Sequence, residues 1–100
     1  MAQKIMLTPE QLQQEARNLE KAANENDNLI NSVSKLVEGL LSGWEGEAQR
    51  AFTNSFNTKK QTFLKLSEET RKLATKVNSF AANMQAKEHD RKGKAENLAN

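Results

Sequence analysis

The side chains that could do chemistry are few, and their spacing removes most of it. The single histidine, His89, stands in the charged run Lys87-Glu88-His89-Asp90-Arg91-Lys92, and the chain has no Cys and no Tyr. A nucleophile with its base, or a metal site, needs several such groups converging on one point, and one imidazole in a polar tail provides neither. Ser32-Val33-Ser34-Lys35 has the form of the Ser-x-x-Lys of acylating serine enzymes, yet it falls on a solvated helical face without the companion motifs. Asn24, Asn26 and Asn28 alternate oxygens like the start of a calcium loop, but the position that requires Gly is Leu29 and the one that requires a bidentate Glu is Lys35. Gly39, Gly43 and Gly46 follow no strand, so they form no phosphate loop. The expectation is a protein that is not an enzyme and has no metal and no cofactor.

The elements that would position these residues are helices. Trp44, the only tryptophan, lies between Gly43 and Gly46, which places a large apolar side chain where the backbone most easily reverses. On the N-terminal side, Thr8-Pro9-Glu10-Gln11 is a helix start: Thr8 caps, Pro9 suits the first helical position, Glu10 faces the positive end of the dipole, and Gln11 completes a capping box. On the C-terminal side, no Gly or Pro occurs from Glu47 to Asp90, which allows a helix of roughly 40 residues, about 60 Å long. The spacing predicts an all-α hairpin of antiparallel helices, with a helix over 8–41, a turn over 42–46 and a helix over 47–86. An N-terminal arm over 1–7 and a flexible charged tail over 87–100 flank it.

Apolar residues on both helices recur in alternating fours and threes, the spacing of a heptad seam. In the first helix the seam runs Leu12, Ala16, Leu19, Ala23, Asn26, Ile30, Val33, Val37, Leu40, with Leu29, Leu36 and Leu41 beside it. In the second it runs Phe52, Phe56, Lys59, Phe63, Leu66, Thr70, Leu73, Val77, Phe80, Met84 and takes in all four Phe. These residues are predicted to form core or interface rather than a stacking platform for bases, which would interleave aromatics with basic residues. Asn26 either fixes register or is a polar residue tolerated at a wide spot. Lys59 can lay its methylenes along the groove with its ammonium in water.

A chain that is 36% hydrophobic and 28% charged is lean for a self-sufficient globule, and the flanking leucines ask for a second helical neighbour. The two halves carry opposite charge: residues 1–50 have five Lys/Arg and eight Asp/Glu, and residues 51–100 have ten and five, which favours side-by-side pairing within or between chains. Met1 to Leu7 holds no apolar core of the ~7–15 residues that a cleaved secretory signal needs, and no stretch approaches the ~20 apolar residues of a membrane span. Nucleic-acid binding would rest only on the basic second half. A membrane-active helical protein is the alternative reading, and membrane contact finds no support in seams this narrow with opposite faces this charged.

About one hundred residues with Trp44-Glu45-Gly46 between two long helices resemble the WXG family of early-secreted-antigen-like (ESX) proteins, substrates of type VII secretion systems. Leu7-Thr8-Pro9-Glu10-Gln11-Leu12 resembles the helix start of members from low-GC Gram-positive bacteria, and Trp44-x-Gly46-x-Ala48 followed by Ala51-Phe52 and Phe56 resembles the opening of the family's second helix. The resemblance spans residues 7 to about 84. It implies a hairpin that pairs into a four-helix-bundle dimer, with an identical chain or with a related WXG protein. It also implies export without a cleaved signal peptide by a membrane-bound secretion ATPase, from the cytoplasm where the chain is made, and a recognition turn at Trp44, Glu45 and Gly46. Many members carry Tyr-x-x-x-Asp/Glu after the second helix as an export signal. This chain has no Tyr, so it uses a degenerate signal, leaves with a partner that bears one, or serves inside the cell as companion of a larger substrate.

Overall fold

The structure, a computed structural model, describes the backbone of residues 7–99 and the side chains of residues 7–89. The arm expected over 1–7 lies outside the described residues except for Leu7, which is exposed. Two helices account for the fold: α1, Pro9–Leu41, and α2, Glu47–Ala99. The capping box forms as its residues dictate. The Thr8 side chain accepts from the Gln11 N–H at 3.1 Å, and the Thr8 N–H donates to Gln11 Oε1 at 2.8 Å. At the other end of α1 the Ser42 N–H reaches the Glu38 carbonyl, and the Ser42 hydroxyl donates to the Gly39 carbonyl at 2.8 Å.

Helix α2 is longer than the spacing predicts. Its helical backbone does not end at residue 86 but continues to Ala99. The interval beyond Met84 lacks apolar periodicity, yet it contains no Pro and one glycine, Gly93. A single glycine costs about 1 kcal/mol relative to alanine, which does not stop a helix already nucleated over many turns. The threonines and serines of α2 are accommodated similarly: Thr53, Thr58, Thr62, Thr70, Thr75 and Ser79 each donate a hydroxyl to the carbonyl four residues back, which satisfies them without a second helix.

The helices run antiparallel, with Asn26 level with Ser67 and Asp27 beside Arg71. The molecule is one layer thick, 82 × 30 × 15 Å. The contact between the helices is made of small residues at every seventh position. On α1 the buried line is Pro9, Ala16, Ala23 and Ile30, with Ser34 one turn further, and on α2 it is Ser67, Ala74 and Ala81. Small side chains let the two backbones approach closely, and the bulk of the neighbouring columns is turned outward.

The predicted seam residues divide accordingly. Ile30 is buried; Leu12, Leu19, Val33, Val37, Phe52, Phe56 and Val77 are half-buried. Five are exposed: Leu40 55%, Phe63 46%, Leu66 and Leu73 54% each and Phe80 62%. For Leu66, Leu73 and Phe80 the reason is a displaced column on α2. The predicted seam pairs Phe56, Phe63, Thr70, Val77 and Met84 with Phe52, Lys59, Leu66, Leu73 and Phe80. The helix contact pairs the first set with Thr53, Lys60, Ser67, Ala74 and Ala81, one residue later in each heptad and on the other flank of that set. Overpacking is the expected consequence of enlarging this column: Ala74→Leu should lower hairpin stability by about 1–3 kcal/mol in urea denaturation, by the same amount at every protein concentration.

Midway along the hairpin the small column is polar. Asn26 donates its amide to the Phe63 carbonyl at 2.9 Å and to the Ser67 hydroxyl at 2.8 Å, and Ser67 donates onward to the Ala23 carbonyl at 3.2 Å. One turn along, the Arg71 guanidinium pairs with Asp27 and donates to Asn24 Oδ1 at 2.9 Å. Asn26 therefore makes register-defining bonds to both turns it faces. Among the described residues Asp27–Arg71 is the one ion pair between the helices, so the opposite charge of the two halves is spent at a single point. The Arg71 hydrogen bond is the first cause that holds the Asp27 carboxyl below its ordinary value of 3.8. A lowered folded pKa means that the charged form favours the fold, so this contribution is complete above about pH 4 and disappears as pH falls through the folded value. Thermal denaturation from pH 6 down to pH 2 should show an acid decline in melting temperature that is shallower in Asp27→Asn.

Candidate functional site

Two features of the hairpin have no role in holding it together: the surface of the turn and the uncovered apolar face. The turn is built by capping bonds that end α1 in its last residues. The Gly43 N–H reaches the Leu40 carbonyl at 3.3 Å and the Trp44 N–H the Leu41 carbonyl at 3.2 Å; the Arg50 N–H then picks up Gly46 as α2 begins. Gly46 has φ of 110°, a conformation that costs an L-residue roughly 1–2 kcal/mol, and this fixes its identity. Gly39 and Gly43 face open space and carry no such requirement. The Trp44 ring packs on Phe52 with centroids 5.6 Å apart and planes tilted by 48°. Trp44 is half-buried and Glu45 and Gly46 are exposed. The indole thus anchors the turn through one face and leaves the other to solvent, as an aromatic with a polar handle does at interfaces. Backbone strain predicts opposite outcomes for two glycines three residues apart: Gly46→Ala should destabilise by about 1 kcal/mol or more, whereas Gly43→Ala should be neutral or stabilising by up to about 1 kcal/mol. Paired denaturation curves measure both.

The apolar face lies along one side of both helices. Leu29, Leu36 and Leu40 of α1 are 59%, 76% and 55% exposed, and Phe63, Leu66, Leu73 and Phe80 of α2 are exposed as well. Toward the turn a groove of about 290 Å³ opens between the helices, lined by Asn26, Leu29, Ile30, Val33, Phe56, Lys59, Lys60 and Phe63. Lys59 reaches only the Ser55 hydroxyl, at 3.2 Å. This many exposed leucines and phenylalanines are uncommon on a chain that stays alone. The heptad seam marks most of them as core or interface without separating the two, and the structure puts Leu40, Phe63, Leu66, Leu73 and Phe80 on the exposed side. The missed residues are Ser67, Ala74 and Ala81, and the available signal was their own seven-residue spacing.

Nothing in the described residues is arranged for chemistry. No group of three or more His, Cys, Asp or Glu could hold a metal there. Ser32 and Lys35 are exposed, and Ser34 is buried with its hydroxyl donated to the Ile30 carbonyl at 2.8 Å. His89 is exposed. No helix among the described residues is long and apolar enough to cross a membrane.

A one-layer hairpin with a Trp-x-Gly turn and an uncovered apolar side defines a class of small helical proteins. The family described as "Proteins of 100 residues with WXG" (WXG100) matches residues 4–89, and the chain belongs to it. Protein YukE of Bacillus subtilis (strain 168) is 26% identical over 90 residues, covering 90% of this chain and 93% of YukE. In structure, the chain is similar to the secreted protein EsxB of Bacillus anthracis strain Sterne, with a TM-score of 0.77 and 25% identity over 87% of this chain and 99% of EsxB. EsxA of Geobacillus thermodenitrificans shares the fold with a TM-score of 0.74 at 23% identity, over 90% of this chain and 97% of that one.

Proposed function

We propose that this chain is a non-enzymatic substrate of a type VII (ESX) secretion system, or the partner that accompanies such a substrate, and that it acts as a dimer of hairpins closed into a four-helix bundle. The supporting observation is the uncovered face. Leu36, Leu66, Leu73 and Phe80 are each more than half exposed in the single chain, and a second hairpin laid on that face would give them the apolar neighbours that the hairpin's own small column denies them. Leu12, Leu19, Ile30, Val33, Val37, Leu40, Phe52, Phe56, Phe63 and Val77 would complete the core of the bundle. Family membership and the likeness to a secreted EsxB support export from the cytoplasm without a cleaved signal peptide. Trp44, Glu45 and Gly46 would form the surface that the secretion ATPase recognises, with the exposed side of the indole available for it.

Two measurements check this. Sedimentation equilibrium at micromolar concentration should give a dimer, and Leu66→Ser with Leu73→Ser should shift it to a folded monomer; a folded wild-type monomer would overturn the dimer. Trp44→Phe keeps most of the apolar volume, so it should fold with a melting temperature near wild type while its secreted fraction falls. Normal secretion of this variant would leave Trp44 with a packing role alone.

A further inference from the structure

We infer that the groove between the helices binds one molecule of a straight-chain fatty acid anion, with the carboxylate held by Lys59 and Lys60 and the chain laid along Phe56 and Phe63. The site belongs to the single hairpin. It opens on the apolar face, so the fatty acid and a second hairpin exclude one another; that exclusion, unlike the site, rests on the dimer reading above.

The groove follows from the one long side chain in the contact column of α2, which runs Thr53, Lys60, Ser67, Ala74 and Ala81. At Ser67, Ala74 and Ala81 the helices close and bury the column. Two turns nearer the reversal of the chain, at Lys60, a space of about 290 Å³ remains between them. Asn26 is level with Ser67, which sets Lys60 level with about Val33 of α1. The apolar walls there are Leu29, Ile30, Val33, Phe56 and Phe63. Asn26, at the end of the space, already donates its amide to the Phe63 carbonyl and the Ser67 hydroxyl.

Two ammonium groups border this apolar space, and no carboxylate lines it. Lys60 is half-buried and Lys59 exposed. Neither is in an ion pair among the described residues, and Lys59 reaches only the Ser55 hydroxyl, at 3.2 Å. Lys72, by contrast, pairs with Glu68 and Glu69 of its own helix. A cation partly withdrawn from water without a counter-charge favours an anion that brings one, and a carboxylate accepts from both ammoniums at once. The apolar walls decide what that carboxylate is attached to. Phe56 and Phe63 are seven residues apart, about 10 Å along the helix, which matches an extended chain of about eight carbons at about 1.2 Å per bond. A volume of about 290 Å³ stands at the lower end of small-molecule sites, enough for one such chain and too little for a two-chain lipid.

The test is isothermal titration of octanoate, kept below its micelle-forming concentration, into the purified full chain. The same titration into the Leu66→Ser, Leu73→Ser chain, whose changes lie outside the groove, reads the site without association. One octanoate per chain should bind, and each methylene removed from the acid should weaken binding about fourfold. Octanol keeps the chain and lacks the charge, so it should bind at least about tenfold more weakly. Lys59→Gln and Lys60→Gln should each weaken octanoate about fivefold or more and leave octanol unchanged. Lys60→Arg keeps the charge and should retain binding, which separates a lost contact from a misfolded chain, and Lys72→Gln should have no effect. Equal affinity for octanol, indifference to Lys59→Gln and Lys60→Gln, or no binding to either chain overturns the site. Binding to phosphatidylglycerol vesicles without binding of octanoate overturns it too, and assigns the lysines to a lipid surface. Sedimentation of the same samples reads the exclusion: saturating octanoate should lower the dimer fraction of the wild-type chain, and octanoate bound to a chain that stays dimeric overturns the exclusion. A wild-type chain that binds octanoate and is monomeric with or without it sinks the dimer reading and leaves the site standing.

Discussion

A hairpin of two helices has one contact between them and no second layer, and everything else about this molecule follows from which residues occupy that contact. The sequence supplies two candidate columns on α2, one mainly of Phe and Leu and one mainly of Thr, Ser and Ala, on either flank of the Phe56 column and equally periodic. Packing selects the small one, since Ala16 and Ala23 against Ser67, Ala74 and Ala81 permit a close approach of backbones that bulkier side chains would prevent. Selection of the small column leaves the large one outside. The exposed apolar face is thus the direct complement of a tight hairpin.

Small side chains bury little apolar area, so such a hairpin needs something else to define its register. The Asn24, Asn26, Asp27, Ser67 and Arg71 cluster provides it, with side-chain bonds that reach across to the other helix at one level. A slide of one helix past the other by a single turn would break all of these together, whereas an alanine column alone would tolerate it. Polar contacts of this kind contribute modest net stability but discriminate between alternatives. At the turn, Gly46 with its positive φ and Trp44 on Phe52 set the chain reversal from which that register is counted.

Much of this was legible in the sequence. The helix start at Thr8-Pro9-Glu10-Gln11, the reversal at Trp44-Glu45-Gly46 and the two long helices rest on local chemistry, and local chemistry decides caps and turns. The seam of α2 left core and interface unseparated because heptad counting weighs apolar size, and size marks the face that association would cover; closeness of approach is marked by Ala and Ser, which are also common on exposed helix surfaces. The end of α2 was placed too early for a related reason: loss of apolar periodicity signals loss of packing, not loss of helix. Asn26 was singled out by position, but its partners lie some forty residues away on α2 and depend on the register itself.

The turn and the face are the two features that the hairpin's own packing leaves open: an aromatic corner at one end, half exposed to solvent, and an apolar side. The account stands on the claim that this side is buried by association. Hydroxyl-radical footprinting of Leu66, Leu73 and Phe80 across a dilution series measures that directly. Labelling of these three should fall as the protein becomes more concentrated while that of Leu64, on the other side of α2, stays constant; labelling of all four that is the same at every concentration would contradict it.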